Sequence, residues 1–240
     1  MTIWLASGNK HKQQELAAIL AGCTIRLPAE VGITGFDPEE TGTSFAENAL
    51  IKARALHSLL RSGAEQNALE NISPVLADDS GLCVDALGGR PGIYSARYYG
   101  RDSWNSDGSF RLESGAEKLK DEERNKLLLE ELDITSKDPA QRHKNTKVLA
   151  NGGLRSCRFV CAMVLLFSPD RFYLVQETLE GEIVSSVAEI RGQGGFGYDP
   201  IVYLPELGRT VAELSEEEKN RTSHRGKAGK AIAKFLAGPL

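Results

Sequence analysis

The sequence predicts an α/β fold: one mixed β-sheet with helices on its faces and an antiparallel meander as a sub-domain. Three observations predict it. Strand-like and helix-like segments alternate through the first third of the chain. Two β-rich runs then flank Ser168-Pro169-Asp170, a hairpin signal. No period of about 20–50 residues repeats, which excludes a solenoid. At 240 residues the chain suits one compact domain of two lobes as well as two independent domains. That length buries a substantial core without disulfide or metal staples.

The elements follow in order. Thr2–Ala6 alternates as a first strand, and Ser7–Lys12 is a polar turn. Leu16, Ile19 and Leu20 give a helix spacing that Gly22 ends. Residues 34–43 hold Gly35, Pro38 and Gly42 and read as loop. Ser44 and Glu47 form a capping box, so a helix starts there and runs to about Arg61. Residues 62–73 are polar and predict a loop insertion. Pro74–Ala77 is a short buried strand ending in Asp78-Asp79-Ser80, and Leu82–Leu87 reads as another. A tight turn over Gly88–Gly92 follows, then a largely surface helix over Glu113–Leu132. Residues 135–158 are polar and basic, a loop insertion or hairpin extension. Phe159–Phe167, Arg171–Glu177 and Glu182–Glu189 are three adjacent strands. Ser215 and Glu218 cap a last helical stretch, interrupted near Gly226, with Ala228, Ile232, Phe235 and Leu236 facing the core.

Composition narrows the function. Hydrophobic residues are 41% and charged residues 26%, which excludes bulk disorder. Lys+Arg 29 against Asp+Glu 33 gives a net charge of −4, against a protein that grips nucleic-acid backbone. No apolar run approaches the roughly 20 residues of a membrane span, and the start carries no secretory signature. Cys23, Cys83, Cys157 and Cys161 match no zinc spacing and read as buried free thiols of a reducing cytoplasm.

Five segments place small and charged residues where a fold alone does not ask for them. Ser7-Gly8-Asn9-Lys10-His11-Lys12 joins a strand to a helix start, where backbone N–H groups attract anions. Glu39 and Glu40 precede a helix whose Asn48 and Lys52 share a face, and their hard oxygens suit Mg²⁺. Asp78 and Asp79 repel each other unless a cation or donor intervenes. Gly192, Gly194 and Gly197 formally match a dinucleotide fingerprint, but Pro200 and an apolar run follow instead of a helix. That loop, with Phe196 and Tyr198, fits a purine better. Lys219 with Ser223-His224-Arg225 clusters donors near a helix start. Singly, each segment also reads as an ordinary turn, cap or solvated charge run.

Together they resemble the ITPase family, pyrophosphatases of non-standard purine nucleoside triphosphates. The resemblance lies in Ser7-Gly8-Asn9 with Lys12 and Glu15, then Glu40-Thr41-Gly42 with Ser44-Phe45, Glu47-Asn48-Ala49 and Lys52-Ala53. It continues in Ala77-Asp78-Asp79-Ser80-Gly81-Leu82, Pro91-Gly92 and Tyr94-Ser95-Ala96-Arg97, Phe196-Gly197-Tyr198-Asp199-Pro200, Lys219 and Ser223-His224-Arg225-Gly226. The blocks occur in family order. Ser7 stands where Thr is commoner, and residues 62–73 and 135–158 lengthen the chain.

The resemblance implies a single domain, 1–240, with an elongated mixed sheet flanked by helices and two lobes enclosing a cleft, and a cytoplasmic homodimer without nucleic-acid or membrane partners. It implies hydrolysis of XTP, dITP or ITP to monophosphate and pyrophosphate with Mg²⁺. Asp79 is then the catalytic base and a metal ligand, with Glu40 or Glu39 the second ligand. Ser7, Gly8, Asn9, Lys10, His11, Lys12, Asn48, Lys52 and Ser80 hold the triphosphate. Phe196, Gly197, Tyr198, Asp199, Lys219, His224 and Arg225 hold the base. The rivals are a non-catalytic purine-nucleotide-binding module and a pyrophosphatase for other modified triphosphates.

Overall fold

Ile3, Trp4 and Leu5 are buried in β1 (Thr2–Leu5), where the alternating opening placed a strand. A computed structural model of the chain describes residues 1–62, 73–105, 107–111, 119–138 and 154–238. Helix α1 (Lys10–Ile19) begins inside the polar stretch expected as turn. The reason is Asn9, whose side-chain oxygen accepts from the His11 and Lys12 amides at 2.9 and 3.2 Å. A parallel strand, β2 (Thr24–Arg26), pairs Ile25 with Ile3. Its three residues are too few to leave a periodic signature. In α2 (Phe45–Ser62) the Ser44 hydroxyl accepts from the Glu47 amide at 3.2 Å. The Glu47 carboxylate reaches back one residue further, to the Thr43 amide at 2.6 Å, and the helix starts where the Ser44–Glu47 pattern predicts.

Strand β3 (Val75–Val84) differs from expectation. It runs unbroken through Asp78-Asp79-Ser80, and a 3₁₀ turn at Asp85–Leu87 replaces the predicted second strand. Successive strand side chains alternate in direction, so the two carboxylates diverge and form their ion pairs with different side chains. Helix α3 (Asp121–Lys137) extends three residues into the segment read as loop. It is no surface helix, because Leu128, Leu129 and Leu132 are buried beside Arg124, Asn125 and Glu131. The predicted helix start at 113–118, and most of both predicted insertions (63–72 and 139–153), lie outside the described residues.

Strands β4 (Ser156–Ser168) and β5 (Arg171–Ile183) form the expected hairpin, so Ser156–Arg158 are strand and not loop. The strand expected at Glu182–Glu189 is replaced by the end of β5 and a 3₁₀ turn at Val187–Glu189. There the Glu189 carboxylate accepts from the Ser185 amide and hydroxyl at 3.1 and 2.5 Å, side-chain bonding that competes with a ladder. Strands β6 (Val202–Leu204) and β7 (Arg209–Thr210) supply the meander instead. The strand order is β2-β1-β3-β4-β5-β6-β7, parallel across β2-β1-β3 and antiparallel across β5-β6-β7: the mixed sheet predicted. Helices α4 (Glu216–Thr222) and α5 (His224–Leu236) close the chain. Ser223 caps α5 by accepting from the Gly226 amide at 3.0 Å, so the break falls at Ser223.

The chain divides into two compact units. The first comprises Met1–Ser80, Val160–Thr178 and Asn220–Leu240, with a core that includes Leu5, Leu16, Leu76, Met163 and Ile232. The second comprises Gly81–Phe159 and Leu179–Lys219, around Leu82, Tyr98, Leu128, Leu132 and Val202. All four cysteines are free thiols; three are buried, and burial pushes the Cys161 thiol up to about 12. Among the described residues no helix is long and apolar enough to cross a membrane.

Gly181 in β5 tests the β5–β6 pairing. A Cβ there would meet the Tyr203 carbonyl oxygen at 2.8 Å and Val202 Cγ1 at 2.9 Å. Gly181→Ala is expected to destabilise the protein by about 1–3 kcal/mol, read from the urea midpoint; an unchanged midpoint would mean the strands separate at no cost.

Candidate active site

In the first unit β3 carries two buried acids with separate partners. Asp78 accepts from Lys12 Nζ at 2.9 Å, Arg225 Nε at 3.3 Å and the Ser80 hydroxyl at 3.1 Å. Arg225 in turn donates to Glu15 at 2.8 Å. Lys12 and Glu15 stand on α1 and Arg225 opens α5; the two helices pack together, with a Cβ on Gly229 placed only 2.7 Å from Ile19 Cγ2. Asp79 accepts from Lys52 Nζ at 2.8 Å and Asn48 Nδ2 at 3.4 Å, both on α2. Lys52 also donates to Glu40 at 2.8 Å. The Asn48 side-chain oxygen accepts from the Gly42 amide at 2.9 Å and ties down the loop that carries Glu40.

The electrostatics separate the two aspartates. Burial alone would raise Asp78, yet Lys12, Arg225 and Lys52 hold it far below the usual carboxylate range. Burial raises Asp79 as well, and Glu40 and Asp78 add to it; Lys52 opposes them without prevailing. Burial works against the Lys52 ammonium, but Asp79 and Asp78 more than offset it and keep its pKa above the ordinary value. Asp78 is therefore a saturated anchor, and Asp79 is a carboxylate with proton affinity to spare.

The second unit holds the glycine-rich loop. Gly192, Gly195 and Gly197 take φ of +81°, +79° and +66°. At Gly195 the left-handed backbone favours glycine, and a Cβ would also press on the Asp199 carboxylate and the Lys219 ammonium. Asp199 accepts from the Phe196 amide at 3.0 Å and from Lys219 Nζ at 2.5 Å. The same ammonium lies 4.9 Å from the centre of the Phe196 ring, which is 46% exposed. A 3₁₀ turn at Asp199–Ile201 and β6 follow the loop, which agrees with rejecting a dinucleotide fingerprint.

Residues 3–235 match the sequence model of the Ham1 family. The chain belongs to the Ham1 family. A dITP/XTP pyrophosphatase of Treponema denticola is 44% identical over 238 residues, covering 99% of this chain and 100% of that protein. One from Geobacillus kaustophilus is 39% identical over 228 residues, with 94% and 89% covered. The solved structure of a HAM1 protein from Coxiella burnetii superposes with a TM-score of 0.71 at 34% identity, covering 99% and 98% of the two chains. The resemblance read from the five blocks is thereby borne out.

This Ham1 chain brings together Lys12, Glu40, Asn48, Lys52, Asp78, Asp79 and Ser80. Glu40 and not Glu39 joins Lys52, and Glu39 is exposed. Ser7 supports the turn by accepting from the Asn9 amide at 3.1 Å, while Gly8, Lys10 and His11 are exposed. Phe196, Asp199 and Lys219 meet in the second unit. Tyr198 does not present its ring. It is buried and donates its hydroxyl to the Ser95 carbonyl at 2.9 Å. Arg225 and the buried His224 belong to the first unit, with Arg225 bonded to Asp78 and Glu15. Sequence reading left out Glu15 as a site residue, although its spacing from Lys12 places both on one face of α1.

Asp78→Asn leaves Lys12 and Arg225 short of an anion and is expected to cost about 3–5 kcal/mol of stability. Because the folded state lowers the Asp78 pKa from 3.8, its contribution is complete above that pH and fades as acid protonates it. The gap between wild type and variant, read by urea unfolding, should therefore narrow below about pH 4; a gap that widens in acid would refute the assignment.

Proposed function

We infer that this chain hydrolyses non-standard purine nucleoside triphosphates such as dITP and XTP to the monophosphate and pyrophosphate. One observation carries the reading: Glu40 from a loop, Lys52 from α2 and Asp79 from β3 meet through 2.8 Å contacts beside the Lys12–Asp78 pair. The names borne by full-length relatives support it.

Water attacks the α-phosphorus, and charge builds on the phosphoryl oxygens. Lys12, Lys52 and the amides of the turn before α1 supply donors to those oxygens. Asp79 accepts the proton of the water; a carboxylate lifted by burial is a better base than a solvated one. Lys52 and Asn48 hold its two oxygens in place.

Two hard carboxylates that converge on one ammonium offer a donor set suited to a cation. Among the described residues no three His, Cys, Asp or Glu form a ready metal cage. Mg²⁺ commonly takes one or two protein carboxylates and fills its octahedron with water and phosphate, so Glu40 and Asp79 would hold it. When bound, it would neutralise charge on the phosphates. At the base end the Phe196 ring packs on the purine and Lys219 donates to a 6-oxo oxygen. An adenine amino group would leave that donor unmatched, a penalty of about 1–3 kcal/mol. A cytoplasmic homodimer without nucleic-acid or membrane partners belongs to the same proposal.

Pyrophosphate release measured across dITP, XTP, ITP, dATP and dGTP, with Mg²⁺ or with EDTA, tests the reading. We expect turnover of the first three, lost on chelation. Asp79→Asn should lower kcat by about 100-fold or more. A wild-type chain inactive on every purine triphosphate would overturn the function; near-normal turnover by Asp79→Asn would remove only its assigned role.

A further inference from the structure

The first turn of α3 closes on the glycine-rich loop. Asp121, Arg124 and Asn125 stand three and four residues apart and share one helix face. Asp121 Oδ2 accepts from the Gly197 amide at 2.6 Å, and Asn125 Nδ2 donates to the Gly197 carbonyl at 3.1 Å. Both polar groups of a single residue are thus held by side chains 76 and 72 positions away in sequence. Arg124 lies 5.8 Å from the Tyr198 ring centre and donates to the Ala96 carbonyl at 2.8 Å. Asn125 is only 3% exposed, and burying an amide costs free energy that an apolar residue would avoid. Among the described residues its side-chain hydrogen bond goes to the loop.

Gly197 sits at φ +66°, in backbone space that glycine also leaves readily. Asp199 holds the Phe196 amide, and α3 holds Gly197 on both of its polar groups. Phe196, 46% exposed, is presented between these fixed points. A recognition loop ordered before binding spares the ligand the entropy of ordering it.

We propose that Asp121 and Asn125 are positioning residues for purine recognition: they lock the Gly197 peptide so that Phe196 and Lys219 are set for the base. The proposal rests on the reading of Phe196 and Lys219 as base-binding groups. Both side chains bond the loop and not the groups assigned to the phosphates, so their effect falls on binding and selectivity.

Asp121→Ala and Asn125→Ala are tested for dITP and dATP turnover and for hydrogen exchange of the amides at 192–198. Each is expected to raise KM for dITP about tenfold with kcat nearly unchanged, and to narrow the preference over dATP. Loop exchange should rise in both, and Asp121→Asn, which keeps an acceptor for Gly197, should restore most of the loss. If burial makes Asn125→Ala unfold, Asp121→Ala decides, since that carboxylate is 46% exposed. An unchanged KM, a fall in kcat at constant KM, or unchanged loop exchange overturns the proposal. A wild type inactive on all purine triphosphates overturns instead the function on which it rests.

Discussion

Two adjacent aspartates inside a β-strand are the constraint on which the first unit depends. Asp78 and Asp79 are 2% and 7% exposed, and a carboxylate that deep must find compensating charge or stay protonated. The pleat turns their carboxylates apart. Asp78 bonds Lys12 and Arg225, brought by α1 and α5; Asp79 bonds Lys52, brought by α2, and the Lys52 charge also acts on Asp78. Three helices distant in sequence are docked around one strand by the need to neutralise it. β1 ends at Leu5, paired with Leu76, so the acids lie just past the carboxyl end of their parallel neighbour. That is the position where open α/β sheets place ligands.

The same neutralisation divides structure from reactivity. Asp78 takes three donors and has its pKa pulled far down, which leaves it little affinity for a proton. Asp79 shares one lysine with Glu40, so two acids compete for a single ammonium and the raised carboxylate keeps an appetite for positive charge. Neighbouring residues of one strand thus differ in chemistry because their cations differ, not because their side chains do. The Asn48 bridge from Asp79 to the Gly42 amide extends this order into the loop that carries Glu40.

The second unit uses a different device. Its recognition loop gains freedom from glycines and loses it again to side chains that grip the backbone: Asp199 within the loop, Asp121 and Asn125 from α3. Glycine is favoured at Gly195 by its φ of +79°, with Asp199 and Lys219 closing on it. Tyr198, buried against Ser95, anchors the loop and leaves Phe196 as its exposed ring.

The sequence alone determined the strand–helix alternation, the Ser44–Glu47 and Ser215–Glu218 caps, the β4–β5 hairpin and the five blocks that carry the family, because each is written in local spacing. It left β2, β6 and β7 invisible, since strands of three, three and two residues are held by partners and not by their own pattern. It also broke β3 at Asp78-Asp79-Ser80, where local chemistry argues for a turn and only Lys12, Lys52 and Arg225 make an extended strand tolerable. Which glutamate meets Lys52, where Arg225 points and what α3 holds were decided by tertiary structure. These are contacts between residues up to 210 positions apart, and no local period encodes them.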